Sequence, residues 1–126
     1  MKVLNIVDTA YRATVEEQDD TVLWLNHMLK NNGLDIGILL QGNAGNYMVR
    51  GQDASGLSFG DLEVAHPPRI DEDLEALMGK GAPVYYVEED AAERGITNGR
   101  LIDGVRPVSR RDLPRLFEEY DLGWRW

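Results

Sequence analysis

The chain has 126 residues and a mass of 14.2 kDa, which is enough for one domain with its own hydrophobic core. It contains no cysteine, and this excludes disulfide bonds, thiolate metal ligands and cysteine nucleophiles. The net charge of −9 argues against a nucleic-acid partner, because phosphate backbones are repelled. No apolar stretch approaches the roughly 20 residues that a membrane helix needs, so we expect a cytoplasmic protein without a membrane partner.

A strand and an amphipathic helix open the chain. Residues 3–7 have the composition of a strand, and Asp8 follows at its carboxyl end. Thr14 begins a capping box, which predicts a helix that runs to about Asn32. The apolar stripe of this helix includes Trp24 and is wider than one sheet contact requires. Trp24 is therefore a candidate for a contact between subunits.

A second strand, residues 34–40, leads into the glycine-containing loop 42–46. The backbone N–H groups of this loop could hold an anion at a helix start, or the loop could be only a tight turn. Residues 51–69 lack periodicity and form the one long irregular segment, in which His66 is a candidate for ligand binding or proton transfer. A helix over residues 72–78, capped by Asp71, is expected to follow.

The stretch from Val84 to Asp90 is the most informative part of the chain. Its apolar run, residues 84–87, is typical of a strand buried on both faces of a parallel sheet. Ligands bind outside the carboxyl ends of such strands, which is where Glu88, Glu89 and Asp90 lie. These carboxylates could line a pocket with the ligand-binding candidates Asp8, Asn43, Tyr85 and His66. Alternatively, Asp90 and Glu93 could form a capping box at the turn 90–94.

Three further elements complete the chain. Residues 104–108 predict a short strand, Ser109 or Asp112 can cap a last helix, and residues 122–126 have the character of an edge strand. Trp124 and Trp126 at this end are candidates for interface residues, because exposing large aromatic side chains is costly. The alternation of strands and helices predicts an α/β fold with a mostly parallel sheet, helices on both sides and right-handed crossovers.

The last 46 or so residues carry a family resemblance. Gly81 introduces the buried strand, Gly95-Ile96 closes a short helical turn, and the segment Leu101–Ser109 reads LIDGVRPVS before the terminal helix. This pattern resembles the DsrE/DsrF-like (YchN-like) family of small sulfur-relay proteins. The resemblance implies a flavodoxin-like three-layer α/β/α sandwich over residues 1–126, an assembly into trimers or hexamers, and a link to sulfur metabolism.

Sulfur carriers of that family hold sulfur on a cysteine at the carboxyl end of the strand that matches residues 84–87. In this chain Tyr85 and Val87 stand there, and a persulfide needs a thiolate sulfur. We therefore expect a non-covalent binding, regulatory or assembly component, with a possible protein partner from a sulfur pathway. The alternative is a small enzyme that uses the strand-end carboxylates with Tyr85 or His66 on a small polar substrate. Neither a cofactor nor a metal is predicted, since the two histidines have no metal-ligand spacing.

Overall fold

The computed structural model describes residues 1–10, 21–52, 56, 58–63, 67, 69–96 and 98–126. Its strands are β1 (Lys2–Val7), β2 (Asp35–Leu40), β3 (Ser58–Phe59), β4 (Leu62–Glu63), β5 (Val84–Val87), β6 (Arg106–Val108) and β7 (Leu122–Arg125). Its α-helices are α1 (Thr21–Asn31), α2 (Ile70–Gly79), α3 (Glu88–Glu93) and α4 (Leu113–Glu118). Three 3₁₀ helices, Gly42–Met48, Asn98–Arg100 and Arg110–Asp112, lie in the connections.

Five strands form one parallel sheet in the order β6-β5-β2-β1-β7. The chain crosses the sheet from β1 to β6 in one direction and then returns to place β7 beside β1. Because parallel strands are joined by right-handed crossovers, the return must lie on the opposite face. Accordingly, α1 and α2 pack on one face, whereas Leu116 of α4 packs on the other. The predicted α/β class with helices on both sides of a parallel sheet is confirmed.

The face under α1 and α2 holds the larger core. Leu23 of α1 and Leu74 and Leu77 of α2 are fully buried there against apolar side chains of β1, β2 and β5. Two buried amides join β1 to α1, since Asn5 Nδ2 donates to Asn26 Oδ1 at 2.6 Å. Such a pair costs little to bury, because each polar group has its partner.

On the opposite face of the sheet, Tyr120, which follows α4, packs over the central strand β2. The Tyr120 ring lies over Gly37 of β2, so closely that a Cβ at Gly37 would stand 2.1 Å from the tyrosine hydroxyl oxygen. Burial of this ring, and then its hydrogen bond with Tyr85, raises the pKa of Tyr120. Lys2 adds a cation over the ring, 5.2 Å from its centroid. Glycine at position 37 therefore makes room for the aromatic cover.

Some local expectations are corrected. Asp71 lies inside α2 and does not cap it; its Oδ2 accepts the Gly51 N–H at 2.8 Å. Within the segment expected to be irregular, β3 and β4 form a small antiparallel hairpin. The capping box that begins at Thr14 lies outside the described residues. Among the described residues no helix is long and apolar enough to cross a membrane.

We expect Gly37→Ala to lower the free energy of unfolding by about 1–3 kcal/mol, because the new methyl group overpacks the Tyr120 ring. Gly79→Ala is the matched control: a Cβ there meets nothing within 4 Å, so this helical change should stabilise by about 0.5–1 kcal/mol. Urea denaturation of both variants measures the difference. A Gly37→Ala protein as stable as the wild type would show that Tyr120 does not lie over β2.

Candidate functional site at the carboxyl edge of the sheet

Polar side chains cross the carboxyl edge of the sheet from one side to the other. We call this set the charge row; in the strand order β6, β5, β2, β1, β7 it consists of Arg110, Asp90, Gln41 with Gly42, Asp8 and Arg125. Each member lies at or just after the carboxyl end of its strand. The row therefore has a neutral turn at its centre, a carboxylate on each side of the turn, and a guanidinium outside each carboxylate.

Asp90 joins the central turn to Arg110. Its Oδ2 accepts the Gly42 N–H at 2.7 Å, and its Oδ1 accepts from Arg110 Nη2 at 2.6 Å. The Asp90 side chain is 17% exposed and the Arg110 side chain 54% exposed, so the pair lies at the rim of the protein. The hydrogen bond to Asp90 raises the pKa of Arg110, and the charges of Asp90, Glu93 and Glu89 act in the same direction.

Asp8 repeats this arrangement on the other side of the turn. Its Oδ1 accepts from Gln41 Nε2, and its Oδ2 accepts from Arg125 Nε in a close ion pair. The Asp8 side chain is 24% exposed, whereas that of Arg125 is 72% exposed. Two consecutive residues after β2 therefore hold two carboxylates, and each carboxylate holds one arginine.

An open cavity of about 430 Å³ lies along the charge row. Besides the row it is lined by Val87 and Leu113, which give it an apolar side. Val87 is the last residue of β5 and is buried. The cavity thus stands at the strand end where the resemblance locates the sulfur-bearing cysteine of the carriers.

The structure brings only some of the predicted site residues together. Asp8 and Asp90 share the cavity, whereas Tyr85 and Glu88 line a second one of about 350 Å³ on the α4 side. Glu89 turns toward the 3₁₀ helix before α4 and accepts the Arg110 backbone N–H at 2.7 Å. Asn43 lies apart from the cavity lining.

Two candidates need separate comment. The Asn43 side chain accepts from Arg94 Nε at 2.9 Å, which turns it toward the end of α3. His66 lies outside the described residues, so its place relative to the site stays a prediction. Within the part of the chain that the structure describes, no group of three or more His, Asp or Glu could hold a metal ion.

The alternative in which Asp90 caps a turn is wrong. α3 already begins at Glu88, and its N-cap residue, Val87, makes no side-chain cap hydrogen bond. Asp90 lies within the first turn, where its charge suits the helix dipole, but its oxygens bind Gly42 and Arg110. Its carboxylate thus connects the turn after β2 to Arg110 after β6.

The three tryptophans differ in their surroundings. Trp24 on α1 is 50% exposed, whereas Trp124 and Trp126 are partly buried against the larger core. The indole N–H of Trp126 donates to Asn5 Oδ1 at 3.1 Å. The two C-terminal rings thus have contacts within their own chain, and their role in an interface stays a prediction.

Sequence reasoning missed the two arginines and Gln41. Arg110 follows β6 and Arg125 ends β7, and the sequence predicts both strands in nearly these positions. The rule that ligands bind at the carboxyl ends of parallel strands, applied to Asp8 and Asp90, would also have selected these arginines. Gln41 could have been found in the same way, as the first residue after β2.

The geometry can be compared with known proteins. No family model matches the sequence, and no curated protein matches it. Among solved structures, YchN from E. coli superposes with a TM-score of 0.75 at 22% identity, over 99% of this chain and 98% of that chain. The chain has the YchN fold. A protein of unknown function from Methanobacterium thermoautotrophicum shares it, with a TM-score of 0.62 at 18% identity over 99% of this chain and 98% of that chain. The fold implied by the resemblance to the YchN-like family is thereby confirmed.

We expect Asp90→Asn to lower the free energy of unfolding by about 1–3 kcal/mol, as for the loss of a hydrogen bond to a charged group. An asparagine has one oxygen and one NH₂ group, so it cannot offer one oxygen to Gly42 and a second to Arg110 as Asp90 does. Glu93→Gln is the control, because Glu93 is exposed and its contact with Arg110 is 3.9 Å long; its effect should stay within about 0.5 kcal/mol. Equal stability of the two variants in urea denaturation would contradict the claim that Asp90 stabilises the fold by connecting Gly42 to Arg110.

Proposed function

We propose that this chain is a cytoplasmic YchN-like protein of sulfur metabolism that acts by non-covalent binding or assembly and carries no sulfur on its own side chains. The proposal rests on the residue found at the carboxyl end of β5. Val87 lies there, beside a cavity bounded by ion-paired carboxylates and arginines. A side chain without sulfur at this point cannot form the persulfide on which a covalent relay depends.

The state of the two carboxylates supports binding more than catalysis. A general base needs a carboxylate oxygen that can reach a substrate proton. In Asp8 and in Asp90 both oxygens already accept hydrogen bonds from the turn after β2 and from an arginine. Each oxygen keeps a second lone pair, but a proton taken up there would cancel the charge that holds the arginine, which favours the binding role over the small-enzyme alternative.

We also propose that the chain assembles into a trimer or hexamer. Large apolar side chains remain exposed on two sides of the molecule: Trp24 on α1, and Phe117 and Leu122 beside α4. An open apolar cleft of about 290 Å³ lies next to Phe117 and Leu122. Large exposed apolar surfaces usually mark contacts between proteins, and homo-oligomers close by symmetry.

In sedimentation at micromolar concentration we expect a species of at least three chains, and a monomer of 14.2 kDa would contradict the assembly.

Incubation with a persulfide donor should leave the mass of the wild-type protein unchanged, because the chain has no thiol. Glu88→Cys provides the control, since Glu88 is exposed at the same strand end and its replacement offers an accessible thiol. This variant should gain about 32 Da, the mass of one sulfur atom, in intact-mass spectrometry. A stable adduct of that size on the wild-type chain would overturn the proposed function.

A further inference from the structure

We propose that the cavity along the charge row binds a small oxoanion, of the carboxylate, sulfate or phosphate type, through the guanidinium groups of Arg110 and Arg125. The inference rests on the proposed binding function and names the ligand class of that site. It depends on three features of the row, which are the unused donors of the arginines, the engaged state of the carboxylates, and the apolar side of the cavity.

Each arginine has hydrogen-bond donors to spare. A guanidinium has five N–H donors in a planar fork. Arg110 binds Asp90 through Nη2, and Arg125 binds Asp8 through Nε. Among the described residues the remaining side-chain nitrogens of the two arginines, Nε and Nη1 of Arg110 and both Nη atoms of Arg125, have no hydrogen-bond partner. Both side chains line the cavity, so an oxoanion there can accept from them.

The carboxylates hold the arginines in place. Asp8 and Asp90 are themselves fixed by Gln41 and by the Gly42 N–H, so each guanidinium is held by a carboxylate that has little freedom to move. A donor that is already ordered loses less conformational entropy when a ligand binds. The ion pairs thus act as supports for the two guanidinium groups.

An anion can enter this cavity although the protein is acidic. All four carboxylate oxygens of Asp8 and Asp90 accept hydrogen bonds, and each charge has an arginine beside it. Arg110 and Arg125 therefore offset the charges of the two carboxylates and still have N–H donors for a ligand. Val87 and Leu113 give the cavity one apolar side, while the arginines stand at its open rim.

The spacing of the strands also limits how many of the charged groups one ligand can contact. Asp8 and Asp90 follow β1 and β5, the two neighbours of β2, and strands lie about 4.8 Å apart. The ends of β1 and β5 are therefore separated by roughly 10 Å, and Arg110 and Arg125 lie farther apart, at the ends of the outer strands β6 and β7. A small oxoanion therefore binds against one guanidinium at a time, and the cavity offers one such position at each arginine. Sulfate, phosphate and the dicarboxylate succinate represent the three types of oxoanion.

The experiment is an NMR titration of the ¹⁵N-labelled wild-type protein with each of the three anions, at constant ionic strength maintained with chloride. We expect saturable shifts of the Gly42 amide and of residues around Arg110 and Arg125. Arg110→Gln should weaken the binding reported by amides around Arg110 about tenfold, and Arg125→Gln the binding reported around Arg125, as expected for the loss of a charge-assisted hydrogen bond. Arg111→Gln, an exposed neighbour that does not line the cavity, should change it less than about twofold.

Two outcomes overturn the inference. One is the absence of saturable shifts for all three anions up to roughly 50 mM, beyond the range of useful affinity. The other is an equal loss in Arg111→Gln and Arg110→Gln, which would indicate general screening of charge. If Arg125→Gln does not fold, Arg125→Lys keeps the charge but cannot bind in a bidentate manner, and it should still weaken binding. If no anion binds, the expected persulfide result is unaffected and the proposed function stands. A persulfide adduct on the wild-type chain would instead contradict the proposed function.

Discussion

The turn after β2 fixes the whole carboxyl edge of this sheet. Gln41 and Gly42 are consecutive, yet they donate in opposite directions, to Asp8 on the β1 side and to Asp90 on the β5 side. In a parallel sheet all strand ends with the same polarity lie at one edge, so a central strand can bind the residues after both neighbours. Each carboxylate then binds an arginine from an outer strand. One turn of two residues thereby sets the positions of four charges.

The path of the chain explains why one of those arginines comes from the C-terminus. The return from β6 to β7 carries α4 across the second face and brings Arg125 beside Asp8. Among the described residues, that face carries the short helix α4, and Tyr120 after it covers Gly37. The same connection therefore completes the charge row. It also leaves Phe117 of α4 and Leu122 of β7 exposed.

The fold followed from the sequence because its signals are local. Apolar runs and glycine turns located the five strands of the main sheet, and crossover handedness implied helices on both faces. The carboxyl-end rule correctly brought Asp8 and Asp90 to one cavity. It could not give side-chain directions: Asn43 turns to Arg94, and Glu88 turns to a different cavity, because the direction depends on the backbone after the strand. The capping prediction for Asp90 was wrong because a tertiary partner, the Gly42 N–H, replaced the local one.

Hydrogen exchange at the Gly42 amide tests the central claim most directly, namely that the strand-end carboxylates are structural ties and not poised catalytic groups. This N–H begins a 3₁₀ helix, and among the described residues its acceptor is Asp90 Oδ2. The account predicts an amide that exchanges slowly in the wild-type protein and much faster in Asp90→Asn, with the amides of β1 and β2 unchanged. A Gly42 amide that exchanges at the rate of an unprotected residue in the wild type would contradict it.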